Sequence, residues 1–173
     1  MKKIQLNALF CAVLILSIVG AQKTNAQGFD PQPGFTQLDF GTGTSNYGIP
    51  IYVGMDFGVG NKITIGPRLS FSHHNSGGGY NYNIFNILFR ADYHWGAHIS
   101  GLPSELDLYG GLSAGYSVWN EDFDGSNPNN HSNRGIVYAQ VGARWYFSET
   151  WGVNAEISGG ATSGFEVGMS VRF

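Results

Sequence analysis

Charge and cysteine are the scarcest resources of this chain of 173 residues. Only 12% of its residues are Asp, Glu, Lys or Arg, about half the share of an ordinary soluble domain. A surface turned wholly to water would carry more. There is one cysteine, Cys11, so no disulfide can form within the chain. There is no long hydrophobic run either. The longest, residues 9–20, is 12 residues, well short of the ~20 that an α-helix needs to cross a bilayer. No apolar stripe of helical period stands out after residue 26. Nucleotide-phosphate chemistry is excluded at the motif level. Gly41-x-Gly43 lacks a third glycine, and no Gly-Lys-Ser/Thr occurs. What the chain has in abundance is glycine, 26 residues, and aromatics, 14%, a composition suited to strands and turns.

The first residues read as a secretory signal peptide. Lys2 and Lys3 precede the apolar run, and small residues follow it as Val19-Gly20-Ala21 and Thr24-Asn25-Ala26. Cleavage is expected after Ala26, with Ala21 as the alternative. Cys11 lies early in the run behind bulky Phe10, which is no lipoprotein site. The expected organisation is therefore a signal over 1–26 and one domain over 27–173. Removal of the signal takes Cys11 and three of the nine basic residues but none of the twelve acids, leaving a net charge of −6. That balance excludes a nucleic-acid partner, which demands a basic footprint.

The remainder divides into eight alternating segments, roughly 36–44, 50–59, 63–73, 80–95, 106–119, 135–147, 151–160 and 165–173. Most are near or above the ~9–11 residues of a tilted membrane-crossing strand. In the second, Ile51, Val53, Met55, Phe57 and Val59 alternate with Tyr52, Gly54, Asp56 and Gly58. The fourth departs from alternation at Ile84 and Leu88, which fall on the polar face. The apolar face carries almost no charge. The other face holds Gly, Ser, Thr, Asn and charges of both signs, too small and polar for a soluble core but suited to a narrow lumen. The predicted fold is an all-β, eight-stranded antiparallel up-and-down barrel with lipid outside. Backbone groups in lipid must all pair, so the sheet must close.

Connections support the same reading. Residues 60–62 and 148–150 are three-residue turns, whereas 74–79 and 120–134 are longer and rich in Gly, Asn and Ser, the asymmetry of a barrel with short turns at one end. Two connections run against it, the short 161–164 and the long 96–105 with Pro103. Trp95, Trp145, Phe147, Trp151 and Phe173 mark one interface; Phe71, Tyr82, Tyr116 and Phe165 mark the other.

With these residues in view, the chain resembles small outer-membrane barrels of the OmpA/OmpX or opacity-protein type over residues 27–173. The hairpin Val141-Gly142-Ala143-Arg144-Trp145-Tyr146-Phe147, turn, Trp151-Gly152-Val153-Asn154-Ala155-Glu156 is similar to the penultimate hairpin of that superfamily. Gly168, Val171 and Phe173 resemble its C-terminal assembly signal. The resemblance implies an outer-membrane location with both termini in the periplasm. Its implied partners are outer-membrane lipids and the barrel assembly machinery. It does not by itself fix activity, because the fold hosts adhesins, structural barrels and enzymes.

Ten charges fall on the inner face: Asp39, Asp56, Arg68, Arg90, Asp92, Asp107, Arg144, Glu156, Glu166 and Arg172. In an interior just wide enough for side chains they are expected to form a plug of ion pairs. The turns place Asp56 diagonal to Arg68 and Arg144 diagonal to Glu156, with Arg172 near Asp39. A small-solute channel would need this interior open. Asn120-x-Asp122-x-Asp124-Gly125 copies half of a calcium loop, but its twelfth position is His131 where a bidentate Glu belongs. His73, His74 and His131 could meet at a rim as metal ligands. His74-Asn75-Ser76 is faintly similar to the His-x-Ser element of lipid A deacylases, although a run of glycines follows it. No cofactor is expected and no catalytic role is assigned. The expected function is that of a non-enzymatic barrel, structural or in contact with an unidentified surface ligand through loop residues Phe123, Asp122, Asp124 and His131. The alternatives are a lipid-modifying enzyme of the deacylase type or a small-solute channel.

Overall fold

The computed structural model describes residues 29–75, 80–123 and 133–173. Eight strands follow one another in chain order and close into a barrel. They are β1 (Thr36–Ser45), β2 (Ile49–Gly60), β3 (Ile63–Asn75), β4 (Tyr80–Tyr93), β5 (Leu106–Phe123), β6 (Arg134–Tyr146), β7 (Trp151–Gly160) and β8 (Gly164–Arg172). Every neighbouring pair is antiparallel, and β8 closes on β1 in a register running from Gln37↔Arg172 to Ser45↔Gly164. Closure leaves no strand edge, which is what a sheet in hydrocarbon requires.

The faces sort as the period-2 pattern predicts. Ile51 is 59% exposed and Val137 60%, whereas Arg144 and Asp107 are each 1% exposed. This reverses the distribution of a water-soluble protein, where large apolar side chains are buried and Asp and Arg almost never are. Trp95, Phe147, Trp151 and Phe173 are exposed at the end where the described chain starts and finishes, called here the terminus end. Phe71, Tyr116 and Phe165 are exposed toward the opposite end, the mouth. The exterior is thus a lipid-facing band edged by aromatic residues.

Several elements differ from the sequence expectation. β4 stops at Tyr93, and Trp95–His98 forms a single 3₁₀ turn. The 60–62 turn is tighter than expected. Gly60 pairs with Ile63, and Asn61 and Lys62 both take left-handed backbone (φ 55° and 61°), the two-residue hairpin turn whose twist matches the strands. β5 runs on to Phe123, so Asp122 and Phe123 are ladder residues, paired with Asn81 and Tyr80, and not loop residues. The β3–β5 wall therefore rises past the ends of β7, β8 and β1, and the mouth is oblique. Asp124 and His131 lie outside the described residues.

Glycine has a definite use at the closing seam. Gly41 and Gly168 face each other across β1 and β8. A Cβ at Gly41 would stand 2.9 Å from the Tyr52 hydroxyl. The two bare positions let Tyr52 lie across the seam and donate to Asn154 Oδ1 at 2.6 Å. Of the other assembly-signal positions, Val171 is 8% exposed, flanked in register by Leu38 and Trp151, and Phe173 is 76% exposed.

Candidate functional site

All ten inner-face charges point into the lumen. Alternation alone places them there, since Arg90 and Asp92 are two apart on β4, and Asp107 faces Arg144 directly across β5 and β6. Arg144 is the hub. Its Nη2 donates to Asp39 Oδ2 at 2.7 Å and Asp56 Oδ2 at 2.6 Å, and its Nη1 to Asp107 Oδ2 at 3.2 Å. Arg90 donates from Nε to Asp92 at 2.6 Å and from Nη2 to Glu156 at 2.7 Å. Arg68 pairs with Glu156 at 3.5 Å through Nη1 and with Glu166 through Nη2. Tyr109 ties the two halves together. Its hydroxyl donates to Glu156 at 2.9 Å, and the Arg144 guanidinium lies 4.0 Å from its ring centroid. Gln140 and Ser113 extend the web by donating, respectively, to Asp92 at 2.8 Å and to Gln140 at 3.2 Å.

The pairs chosen are not the diagonal ones. The register does set Asp56 beside Gly66 and Arg68, and Arg144 beside Asn154 and Glu156. Yet Arg68 goes to Glu156 and Glu166, and Arg144 goes to Asp39, Asp56 and Asp107. In so narrow a barrel the opposite wall is within reach of a guanidinium, and the fork satisfies several carboxylates at once. Arg172 sits where expected at the closing seam but turns its guanidinium elsewhere. It neighbours Asp39 diagonally, but its guanidinium stacks 3.1 Å from the Tyr146 ring centroid and 4.4 Å from that of Phe29.

That stack belongs to a cap at the terminus end that the alternation pattern could not reveal. Residues 29–35 fold under the barrel. Phe29 meets Phe35, His94 and Tyr146 at 5.2, 5.1 and 6.3 Å between ring centroids. The backbone of Phe35 accepts a hydrogen bond from Gly58 N at 2.9 Å, and Asp30 pairs with Lys62 at 3.5 Å. Inside the cap lies a second arrangement that sequence spacing concealed. His94 Nδ1 is 2.7 Å from Asp107 Oδ1, and its Nε2 is 3.0 Å from Thr64 Oγ1. An acid, a histidine and a hydroxyl in line are the parts of a nucleophilic triad. Here Thr64 and His94 are 0% exposed and Asp107 1%, so the hydroxyl is buried from solvent, and the trio ties together β3, the β4 end and β5.

The remaining candidates disperse. His73 Nδ1 bonds Asn83 Oδ1 at 2.8 Å on the exposed surface. Ser76 and His131 fall outside the described residues. Among the described residues no group of three potential metal ligands converges.

No protein-family pattern matches the sequence, and no curated protein is similar enough in sequence to count as a relative. Solved structures do match. Neisserial surface protein A aligns with a TM-score of 0.62 at 12% identity, over 80% of this chain and 96% of that one. OprG of Pseudomonas aeruginosa gives 0.57 at 12% identity, over 85% and 98%. Ail, the attachment invasion locus protein of Yersinia pestis, gives 0.55 at 12% identity, over 82% and 100%. The fold is that of the small eight-stranded outer-membrane β-barrels.

Proposed function

We propose that this protein is a non-enzymatic integral barrel of the outer membrane, with a signal removed at residue 26, both termini in the periplasm, and a structural or surface-contact role exercised at its mouth. The observation that carries this reading is the filled lumen. Six carboxylates and three of the four inner-face arginines interlock across the middle of the barrel, and the 29–35 segment covers one end. These groups occupy the middle of the lumen, where a through-channel would run, and the His94 trio is buried. What remains accessible is the mouth, and the attachment protein among the structural neighbours makes surface contact a natural use of such a barrel.

Planar-bilayer recording tests the closed lumen: the purified protein should give no stable large conductance, and steady ion-selective channels would restore the channel reading. An epitope inserted near Asn129 tests orientation. It should be labelled on intact cells. Labelling only after the outer membrane is permeabilised would invert the topology.

A further inference from the structure

The charge network does not fill the barrel to its mouth. Beyond Arg90 on β4 and Gln140 on β6 comes an apolar layer of Leu88, Ile136 and Tyr138, with Ala161 packed against it. Beyond that layer the lumen opens into a vestibule, a partly open cavity of about 40 Å³, room for about three water molecules. Its wall is lined with hydroxyls. Ser72 and Ser117 are only 5% and 3% exposed, and Ser158 stands across from them. Among the described residues none of the three hydroxyls has a protein hydrogen-bond partner, yet none is sealed from the cavity. At the floor, Arg68 holds Glu166 through Oε2, which leaves Oε1 as an acceptor at the cavity. At the rim, Tyr47 meets Trp119 edge-on with centroids 5.0 Å apart, and Arg134 donates to the Tyr47 hydroxyl at 3.5 Å.

This set of groups selects a ligand class. An apolar ligand would displace water and leave buried hydroxyls unpaired, at the full cost of their desolvation. A small anion would meet the Glu166 carboxylate at the floor, and a small cation would pass Arg134 at the rim. A neutral polyol suits all of them. Its hydroxyls both donate and accept, as do those of serine, the carboxylate takes one further donor, and the C–H face of a sugar ring suits the aromatic rim. A cavity of this size admits one hydroxyl-bearing edge of a ring and not a whole disaccharide. Among the described residues, the low β7–β8–β1 side of the oblique mouth leaves the approach open. We propose that the vestibule binds the terminal sugar of a neutral glycan. This rests on the surface-contact reading only for where the glycan is met; the site itself belongs to the barrel.

The test uses the full-length mature protein in detergent micelles, titrated calorimetrically with lactose, maltose and chitobiose. Sucrose octasulfate and choline serve as anionic and cationic comparators. At least one neutral disaccharide should saturate below about 10 mM, the weak end of specific binding. The double variant Ser72→Ala/Ser117→Ala should weaken it about tenfold, because each lost hydroxyl removes a matched hydrogen bond. Unchanged heat-modifiable gel mobility would show that this variant still folds. The proposal is overturned if no neutral sugar saturates, if the double variant binds as well as wild type, or if only a charged comparator binds. Sugar binding in micelles together with an Asn129 epitope hidden on intact cells would support the site while refuting the outward-facing mouth.

Discussion

Replacing Arg144 by methionine tests the central claim about the lumen. Methionine keeps most of the length and removes the charge. Three carboxylates lose a partner, but not equally. Asp39 retains two hydrogen bonds from Gln37 Nε2, both 3.0 Å, and Asp107 retains His94 at 2.7 Å. Asp56 is left with Arg90 at 3.8 Å and an Oδ1 that already lacks a hydrogen bond. Breaking a buried pair by removing one partner costs about 3–5 kcal/mol, because a charge remains unpaired away from water. The cost should fall mainly on Asp56, with the two better-supported acids adding little. Arg144→Met is therefore expected to destabilise the folded barrel by about 3–5 kcal/mol, and Arg144→Met/Asp56→Asn should recover about 1–3 kcal/mol of that. Urea unfolding in lipid vesicles, followed by tryptophan fluorescence, measures both values from the shift in midpoint at constant slope. An Arg144→Met barrel within about 0.5 kcal/mol of wild type, the range of an ordinary surface change, would refute a coupled plug. So would a double variant no more stable than the single one.

The lipid-facing assignment predicts that Val141→Arg or Val153→Arg costs about 2–4 kcal/mol near the bilayer midplane, whereas Ser70→Arg, which points into the vestibule, shows no such depth-dependent penalty in the same unfolding assay. The cap predicts that Phe29→Ala, which unstacks Arg172 and uncovers His94, costs less than the ~3–5 kcal/mol of a fully buried Phe→Ala, since Phe29 is only half-buried, and speeds hydrogen exchange at Gly58 N, whose acceptor is Phe35 O. His94→Phe should keep the trio's volume but lose both side-chain bonds, costing about 1–3 kcal/mol; an unchanged unfolding midpoint would show that the trio does not tie the strands together.

Much of this architecture was legible because a barrel in lipid repeats one local rule. Each strand must alternate, and Ile51 through Val59 state that rule in nine residues. Even the exceptions were informative. Ile84 and Leu88, misplaced for a polar face, prove to be 2% and 4% exposed, Leu88 in the apolar layer beneath the vestibule and Ile84 in the vestibule wall. What remained hidden was everything that depends on reach across the lumen. Thr64, His94 and Asp107 come from three separate segments, and no spacing between them marks a site. The diagonal pairs were a fair deduction from adjacent strands, and they failed because adjacency is not the only short distance inside eight strands. The cap was hidden for another reason. Residues 29–35 have no alternation to read, and their role comes from folding under a barrel that other segments build.

The lumen also explains why the remaining freedom of this protein lies at one end. A two-sign network buried from water is held only while nearly every member is partnered, so substitutions there are coupled and the middle of the barrel resists change. The terminus end is tied by the cap, the His94 trio and Arg172. At the mouth the constraint relaxes. β4 and β5 extend beyond their neighbours, and among the described residues hydroxyls stand without protein partners in a space large enough for water. A barrel whose interior is committed to holding itself together can acquire a binding function most readily where its side chains are still unpaired. In this chain those groups are the vestibule hydroxyls of Ser72, Ser117 and Ser158 and the Glu166 oxygen that Arg68 leaves free.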